Sequence, residues 1–358
     1  MKNNEFKEIV FLNIEKGYKT SEIAERLQVS NQLVYYYVKL YRREKGINTN
    51  PKDEQLEKDL RRITNKQLRK ESRAENLLKI LFKDVKKAIS SEDRFEVKPR
   101  SVKEEDKIGI IQFSDLHFGE VVSLSTNEYN LEVAIQRLNT HIEESTKYFK
   151  SLGVKDIYLF FTGDLLNSDR RYDELLTNTC NRAKALVYLF RYFDKTIQDI
   201  SKEFNILGIE SVVGNESRID LDLSGINSLA SNNFDFIFHE MLRAAFPNLV
   251  SDVLEGAVVE RCVKIKDEVI LLTHGMYFKA NDVFDTIPRY AQENYGYVTY
   301  TMCGHIHDAV VTAHVGRSGG LPGGNDYSRR LKCFNTLAAQ NCYIIDSFGV
   351  SGKINVLV

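Results

Sequence analysis

Apolar residues near the N-terminus recur at three- and four-residue spacing, which predicts three short helices. The first covers roughly residues 4–16, and the second runs over Ser21–Leu27. The third reads NQLVYYYVKLYRR and begins directly after Ser30, a residue type that often caps helices. We therefore expect a small all-α domain over residues 1–50.

A charged segment follows Pro51. Apolar residues recur in it at helical spacing, as Leu56, Leu60 and Ile63 do, and Glu, Lys and Arg fill many of the positions between them. Residues 51–106 are therefore expected to form a charged helical linker with one or two amphipathic helices. Its apolar stripe could dock on the rest of the chain, pair with a second subunit to give a homo-oligomer, or serve as a spacer.

From Lys107 onward, short apolar runs alternate with stretches at helical spacing. Such alternation is typical of an α/β domain in which helices cover a sheet, and we expect one over residues 107–358. Five runs read as buried strands: IGIIQFS, IYLFFTG, IESVVG, EVILLTH and YVTYTMCG. Helices are expected over Leu131–Lys150, Asp173–Phe204 and Ile226–Ala245. Later strands are expected at AVVTAHV, LKCFNTL, CYIIDS and KINVLV.

The charges are balanced over the whole chain, with 49 basic and 50 acidic residues, but they are unevenly distributed. Residues 1–103 contain 25 Lys and Arg against 16 Asp and Glu, a net +9, and the remainder carries 24 against 34, a net −10. A basic N-terminal part on an acidic body favours a polyanionic partner. A solvated helical surface would give the same composition, so composition alone leaves both open.

Cysteine content and hydropathy bear on location. The five cysteines are odd in number and form no CxxC pair, which favours free thiols in a reducing, cytoplasmic compartment. The N-terminus MKNNEFKEIV lacks the apolar core of a signal peptide. No run of about 18 apolar residues could span a membrane, so we expect a cytoplasmic protein without a membrane partner.

Each of the five predicted buried strands ends in a polar cluster. Because ligands collect at the carboxyl ends of strands in open α/β sheets, the clusters should converge on one site. Carboxylate, amide and imidazole groups without a thiolate suit Mn²⁺, with Fe or Zn²⁺ as alternatives, better than Ca²⁺. The set is too large for one ion and indicates two divalent ions that share a carboxylate. The candidate ligands are Asp115, His117, Asp164, Asn215, His274, His305 and His307.

The order D-x-H, G-D-x-x-N, G-N, H and G-H-x-H resembles that of the calcineurin-like metallophosphoesterases, over about residues 107–346. Each piece alone occurs often by chance, whereas five in this order, each after an apolar strand, are specific. The resemblance implies a four-layer α-β-β-α sandwich and hydrolysis by a hydroxide that two metal ions activate. The ligands it implies are Asp115, His117 and His307 for one ion, Asn215, His274 and His305 for the other, and Asp164 as the bridge.

One position departs from the family pattern. The family usually has a His after G-N that protonates the leaving group, and this chain has Glu216 there, in the stretch GNESR. A carboxyl group could donate that proton only if burial or a nearby negative charge kept it protonated. Alternatively, Arg218 holds the phosphate and water supplies the proton, or the enzyme is slow or specialised. Asn215 is expected to stabilise the developing negative charge.

The second and third predicted helices resemble a helix-turn-helix of the resolvase or homeodomain-like kind. Ala24 is small enough for two helices to cross closely, and Val29 and Val34 are spaced to fill the angle between them. The turn usually holds Gly where this chain has Gln28. In that family the third helix enters the major groove of DNA, and a three-helix packing or dimerisation module is the alternative. The DNA-binding residues this implies are Asn31, Gln32, Tyr35, Tyr36, Lys39, Arg42 and Arg43.

Three histidines, His141, His239 and His314, and one loop lie outside these motifs, and His314 could line the cleft. His141 falls in a predicted helix and is expected at the surface, whereas His239 is expected to be packed. The glycine-rich loop 316–330 contains Arg317 and other cations that could contact a phosphodiester backbone. An ordinary long surface loop is the alternative.

A DNA-binding domain joined to a two-metal phosphoesterase indicates a DNA nuclease. Its catalytic core is similar to that of the SbcD-type DNA repair exonucleases, and phage proteins with a helix-turn-helix ahead of such a domain are also similar. Two alternatives stay open. The protein could hydrolyse nucleotide or phosphoprotein substrates, or it could be a DNA-binding regulator with a degenerate phosphoesterase domain. Glu216 favours the regulator, and the presence of every expected ligand argues against it.

Overall fold

The computed structural model describes residues 3–45, 99, 106–170, 172–219, 230–251, 258–325 and 337–358. They belong to two compact units divided between Leu81 and Phe82. The linker predicted over residues 51–106 lies almost wholly outside the described residues, so its helices and its pairing stay predictions. Within the described ranges, no helix is long and apolar enough to cross a membrane.

The helices of the N-terminal unit lie close to their predicted bounds: α1 Asn3–Glu15, α2 Thr20–Leu27 and α3 Asn31–Glu44. They pack around a small core that includes Val10, Ile23 and Val34, each fully buried. Gln28 ends α2 with φ 52° and ψ 44°, the left-handed conformation that glycine often adopts there. The Ser30 hydroxyl accepts a hydrogen bond at 3.2 Å from the backbone N–H three residues on, and it therefore caps α3 as predicted.

The described part of the second unit contains two five-stranded sheets and a two-stranded one. The strands are β1 Ile108–Phe113, β2 Val122–Leu124, β3 Asn127–Tyr129, β4 Asp156–Phe161, β5 Asn205–Ser211, β6 Glu260–Ile265, β7 Glu268–Thr273, β8 Tyr300–Cys303, β9 Val310–Val311, β10 Val315–Arg317, β11 Ala339–Asp346 and β12 Gly349–Leu357. The first sheet has the order β12-β11-β1-β4-β5, and the second has the order β6-β7-β8-β10-β9. Most of LKCFNTL, a predicted strand, lies outside the described residues.

The two sheets pack face to face, and Ile110 of β1 and Met302 of β8 belong to one buried cluster between them. Strands β1, β4 and β5 are parallel, with Phe113 opposite Phe161 and Phe161 opposite Ser211. In the second sheet β7 and β8 are also parallel. Since aligned parallel strands end at the same edge, the loops that follow β1, β4 and β5 lie side by side.

The helices of the second unit are α4 Leu131–Ser151, α5 Tyr172–Leu176, α6 Arg182–Ile200, α7 Phe234–Ala245 and α8 Thr286–Tyr295, with a 3₁₀ helix at Ala280–Phe284. The single helix expected over Asp173–Phe204 is wrong, because the structure has α5 and α6 there. The side chain of Asn181 accepts a hydrogen bond from Lys184 N at 2.9 Å and starts a new helix. Asn233 caps α7 in the same way.

Helices cover the outer faces of both sheets. Phe193 of α6 and Phe238 of α7 both meet Phe161 of β4 edge to face, with ring centroids 5.0 and 5.3 Å apart. On the second sheet, Ala291 of α8 packs in one cluster with Leu271 of β7. Contacts of this kind bury the apolar stripe of each helix against the sheet.

The expected surface position of His141 is wrong, because its side chain is fully buried. Its Nε2 donates to the carbonyl of Gln112 at 3.0 Å, and the Ser145 hydroxyl lies 3.4 Å from Nδ1. A neutral imidazole with both nitrogens paired can be buried at low cost. His239 is buried as predicted. Burial lowers the pKa of both imidazoles to about 4.

Candidate metal centre

Two clusters of acidic and imidazole side chains form where strands of both sheets end. In each cluster the candidate ligand atoms lie within 4.8 Å of one another. The loops after β1, β4 and β7 supply one or two residues each, and the loop after β8 contributes one residue to each cluster. The members are Asp115, His117 and His307 in the first cluster and Asp164, His274 and His305 in the second. The structure therefore brings together every predicted carboxylate and imidazole ligand.

The first cluster is tightly convergent. Nε2 of His117 lies 3.0 Å from Nε2 of His307, which lies 3.3 Å from a carboxylate oxygen of Asp115. Both oxygens of Asp115 also accept the backbone N–H of His305 at 3.0 Å, and the Ser114 hydroxyl donates to one of them at 2.6 Å. These bonds hold the carboxylate in place with its two imidazoles.

In the second cluster, Nε2 of His274 lies 2.9 Å from a carboxylate oxygen of Asp164. The other ring nitrogen, Nδ1, donates to the carbonyl of Thr162 at 2.8 Å. Metal-binding histidines usually donate their second ring N–H in this way, which fixes the ring and leaves the first nitrogen for the metal. The donor set and its orientation therefore fit a divalent cation.

The backbone is strained at the candidate ligands. Asp115, His117, Asp164, His305 and His307 all have positive φ, between 41° and 74°. Elsewhere in the described residues, the only other non-glycine residues with positive φ are at positions 28 and 266. Left-handed backbone at a non-glycine residue costs on the order of 1–3 kcal/mol and is concentrated at functional sites. Strain concentrated at five of the candidate ligands is typical of a functional site, and this indication does not depend on any resemblance.

Two motif glycines allow the loops to approach one another closely. A Cβ at Gly214 would lie 2.1 Å from Oδ1 of Asp164, and one at Gly304 would lie 2.1 Å from Oδ2 of Asp115. A side chain at either position would displace a carboxylate. The glycines before Asn215 and His305 are therefore required by the spacing of the site.

The predicted ligand Asn215 has an oxygen available for a metal. Its Oδ1 is buried and has no hydrogen-bond partner, while its Nδ2 donates to Glu216 at 2.8 Å. The next backbone N–H, of Glu216, donates to Oδ1 of Asp164 at 2.6 Å. A buried carbonyl oxygen without a partner costs free energy unless a ligand satisfies it. Asn215 is thus held beside Asp164 in a form that fits metal coordination.

Opposite charges at close range dominate the electrostatics. Burial alone raises the pKa of Asp164, but neighbouring His274 outweighs it and the pKa lies well below the ordinary 3.8. Burial lowers the pKa of His274, but the charge of Asp164 outweighs it and raises the pKa to about 10. Burial and the charge of His274 lower the pKa of His305 to about 4. These shifts keep the Asp164 carboxylate ionised and His305 neutral at pH 7, and those are the forms that bind metals. A metal ion bound there would displace the proton of His274.

Arginines surround the loop after β5. Nη2 of Arg170 pairs with Glu216 at 2.9 Å, and the Arg170 side chain is 9% exposed. Buried Arg182 donates to the carbonyls of Glu216 and Arg218 and pairs with Asp169 at 3.0 Å. Nε and Nη1 of Arg218 are buried without a hydrogen-bond partner. Sequence reasoning missed Arg170 and Arg182 because no motif spacing marks them.

The predicted DNA-binding residues lie along α3. Asn31 and Arg42 are exposed, Tyr35 and Tyr36 are 38% and 45% exposed, and Nζ of Lys39 lies 5.5 Å from the ring centroid of Tyr35. Two more of these residues, Gln32 and Arg43, belong to the helix, but their side chains are not among those described.

Part of the glycine-rich loop departs from expectation. Arg317 is 2% exposed and donates to the carbonyls of Ala280 and Asp308 at 2.7 and 2.8 Å. Its expected contact with a phosphodiester backbone is therefore wrong, because the guanidinium is committed to the protein interior. Residues 326–330 lie outside the described residues.

The known proteins to which this chain is similar are distant from it. No family model matches the chain. An uncharacterized protein YonJ, derived from the SPbeta prophage of Bacillus subtilis (strain 168), is 20% identical over 185 residues, which are 49% of this chain and 46% of that protein. The aligned part therefore spans about half the length of that relative.

One similar solved structure is that of a conserved uncharacterized protein, a predicted phosphoesterase, from Streptococcus pneumoniae TIGR4. It is 14% identical, the match covers 70% of this chain and 98% of that chain, and the TM-score is 0.30. Vps29 from Entamoeba histolytica, complexed with Zn²⁺, is 13% identical, covers 69% of this chain and 99% of its own, and has a TM-score of 0.29. Because these sequence identities and TM-scores are low, the functional conclusion depends on the geometry of the site.

Proposed function

We propose that this protein is a metal-dependent phosphodiesterase of the calcineurin-like kind that hydrolyses DNA. The observation that carries the proposal is the pair of adjoining ligand clusters, with left-handed backbone at five of the ligands. Two sheets packed face to face, with helices on both outer faces, support the four-layer sandwich that this family implies.

The side chains have separate tasks in this proposal. Asp115 and Asp164, with the four imidazoles, would hold two divalent ions, for which we propose Mn²⁺. The side-chain oxygen of Asn215 would complete the ligand set of the ion at Asp164, His274 and His305. When bound, such ions stabilise negative charge on phosphate oxygens and lower the pKa of water. We propose that the guanidinium of Arg218, whose Nε and Nη1 are buried without a hydrogen-bond partner, binds and orients a phosphate oxygen.

Glu216 takes the place of the usual histidine, and its contacts favour a supporting role. Its carboxylate pairs with Arg170 at 2.9 Å and accepts the Asn215 amide at 2.8 Å. Both contacts use the carboxylate as a hydrogen-bond acceptor. We propose that Glu216 orients Asn215 and that water protonates the leaving group.

The N-terminal unit supports DNA as the substrate. The exposed aromatic and basic residues of α3 fit a helix-turn-helix that binds the duplex. The excess of positive charge over residues 1–103, most of it in the charged segment after Pro51, fits a polyanionic partner. The left-handed Gln28 gives the turn between α2 and α3 the conformation that its usual glycine would have. A prophage origin of the B. subtilis relative fits a phage nuclease of this kind.

Cleavage of end-labelled single- and double-stranded DNA with Mn²⁺ tests the proposal. The wild type should cut DNA, and His117→Ala should lose activity by about 100-fold or more, as expected when an electrostatic contribution is removed. His314→Ala, which removes an exposed histidine outside both clusters, should cut like the wild type.

The same experiment distinguishes the alternatives. If DNA is not cut but bis-p-nitrophenyl phosphate is hydrolysed in a His117-dependent way, the substrate is a nucleotide or another phosphoester. If neither is hydrolysed, the proposed activity is wrong and a DNA-binding regulator is the better interpretation.

A further inference from the structure

The first turn of α7 contacts two loops of the candidate site, the one that carries Asp164 and the one that carries Asn215. Asp235, the second residue of this helix, is 2% exposed. One of its carboxylate oxygens accepts the backbone N–H groups of Asp164 and Gly214, both at 2.9 Å. The other accepts the N–H of Leu165 at 3.1 Å. A single side chain therefore ties the loop after β4 to the loop after β5.

Asn233 secures the same junction from the other side. Its Nδ2 donates to the carbonyl of Gly214 at 2.8 Å, and its Oδ1 accepts the N–H of Asp235 at 2.8 Å. The N–H and the C=O of Gly214 are thus both bonded to the first turn of α7. The next residue along the chain is the candidate ligand Asn215.

These contacts are not an ordinary helix cap. Acidic residues at the start of a helix usually bond its own free N–H groups, and Asn233 already does so in α7. Both oxygens of Asp235 bond instead to N–H groups more than 20 residues away in sequence, in the site loops. Keeping a second buried carboxylate near Asp164 is electrostatically unfavourable, so the position is expected to carry a function.

We propose that Asp235 is a positioning residue that sets the spacing between Asp164 and Asn215 and thereby the affinity of the paired metal site. The inference rests on the proposed function, because it requires that metal ions occupy the two clusters. An amide in its place would keep one acceptor oxygen but would turn an NH₂ group towards N–H donors. The junction of the two loops would then open.

The test is Mn²⁺ titration followed by electron paramagnetic resonance, which separates a single bound ion from a spin-coupled pair. In Asp235→Asn, formation of the coupled pair should require about 10–100-fold more Mn²⁺, the usual effect of losing a residue that supports ligands. Binding of the first ion should change by less than about 3-fold, because the cluster around Asp115 keeps its own hydrogen bonds. Glu210→Gln is the matched control, since Glu210 is a buried carboxylate on β5 that pairs with Arg261 at 2.8 Å.

Each outcome is decisive. A normal coupled pair in Asp235→Asn, or equal weakening of both ions, would overturn the inference, and so would the same change in Glu210→Gln. If Asp235→Asn does not fold, Asn233→Ala is measured instead, and a selective loss of the pair is again required. If the wild type forms no coupled pair, the proposed function itself fails, which separates the two conclusions.

Discussion

Gly214→Ala should damage the metal centre without changing any ligand. The added methyl group would lie 2.1 Å from Oδ1 and 2.3 Å from the backbone N of Asp164. Cβ atoms essentially never approach other atoms to less than 3.0 Å, so the carboxylate oxygen must move by about 0.9 Å. Metal sites tolerate ligand displacements of only about 0.2 Å.

The displacement is large because neither loop can yield. Asp164 N and Gly214 N share one oxygen of Asp235, so movement of either loop breaks a buried hydrogen bond. We expect the Mn²⁺ ion at the Asp164 cluster to bind about 10–100-fold more weakly, the usual effect of losing a residue that supports metal ligands. That change corresponds to about 1.4–2.7 kcal/mol of binding free energy.

Isothermal titration of the apoprotein with Mn²⁺ measures the effect. At concentrations that load the wild type with two ions, Gly214→Ala should bind one. Gly208→Ala is the control, because it also adds a methyl group to a glycine, in this case one within β5. That methyl group would lie 2.7 Å from the ring of half-buried Tyr158 and would not touch a candidate ligand. It should lose stability and still bind two ions.

Two equal ions in a folded Gly214→Ala protein would refute the reasoning, because the carboxylate would then have tolerated the clash. Loss of both ions together with loss of the far-ultraviolet circular dichroism signal would mean only unfolding. The measurement is therefore made at a temperature where the variant keeps the wild-type spectrum.

Two further predictions concern stability and DNA binding. Burial lowers the His141 pKa from 6.5 to about 4 on folding. The neutral imidazole therefore contributes fully to stability above pH 6.5, and this contribution is lost as the pH falls towards 4. In urea unfolding, His141→Gln should remove up to about 3 kcal/mol of this acid sensitivity, and parallel pH profiles of the two proteins would contradict the prediction. Lys39→Ala with Arg42→Ala should weaken binding to labelled duplex DNA and lower the slope of log Kobs against log salt by about 2. Removing exposed Lys147 and Lys202 from the second unit is the control, and an unchanged slope in the α3 variant would show that this helix does not contact phosphates.

The sequence alone was sufficient for the elements with a strong local pattern. Helix α4 was expected over Leu131–Lys150 and spans Leu131–Ser151. Four of the five apolar runs before the motifs contain the expected strands, because continuous burial on both faces of a strand leaves a local signature. The fifth, expected at residues 209–214, is instead Asn205–Ser211. The types of the candidate ligands, and their position directly after strands, were readable for the same reason.

Expectations that needed a neighbour in space were less successful. His141 was expected at the surface, yet it faces the Gln112 carbonyl of β1, 29 residues away. The break between α5 and α6 was missed because Asn181 differs from an ordinary polar helix residue only once its side chain bonds the backbone. Strand β6 and the β2–β3 hairpin were also not expected, since neither has a long apolar run.

What the sequence determined by itself was which residues could bind metal and which strands would carry them. Only the tertiary structure decided that candidate ligands from two different sheets converge, that Arg170 pairs with Glu216 across 46 residues, and that Asp235 accepts the backbone N–H of Asp164 across 71. The physical reason is that side-chain periodicity reports burial along one element, whereas a site depends on distances between elements. Those distances are set by sheet register, by close approach at glycine and by buried hydrogen bonds between loops.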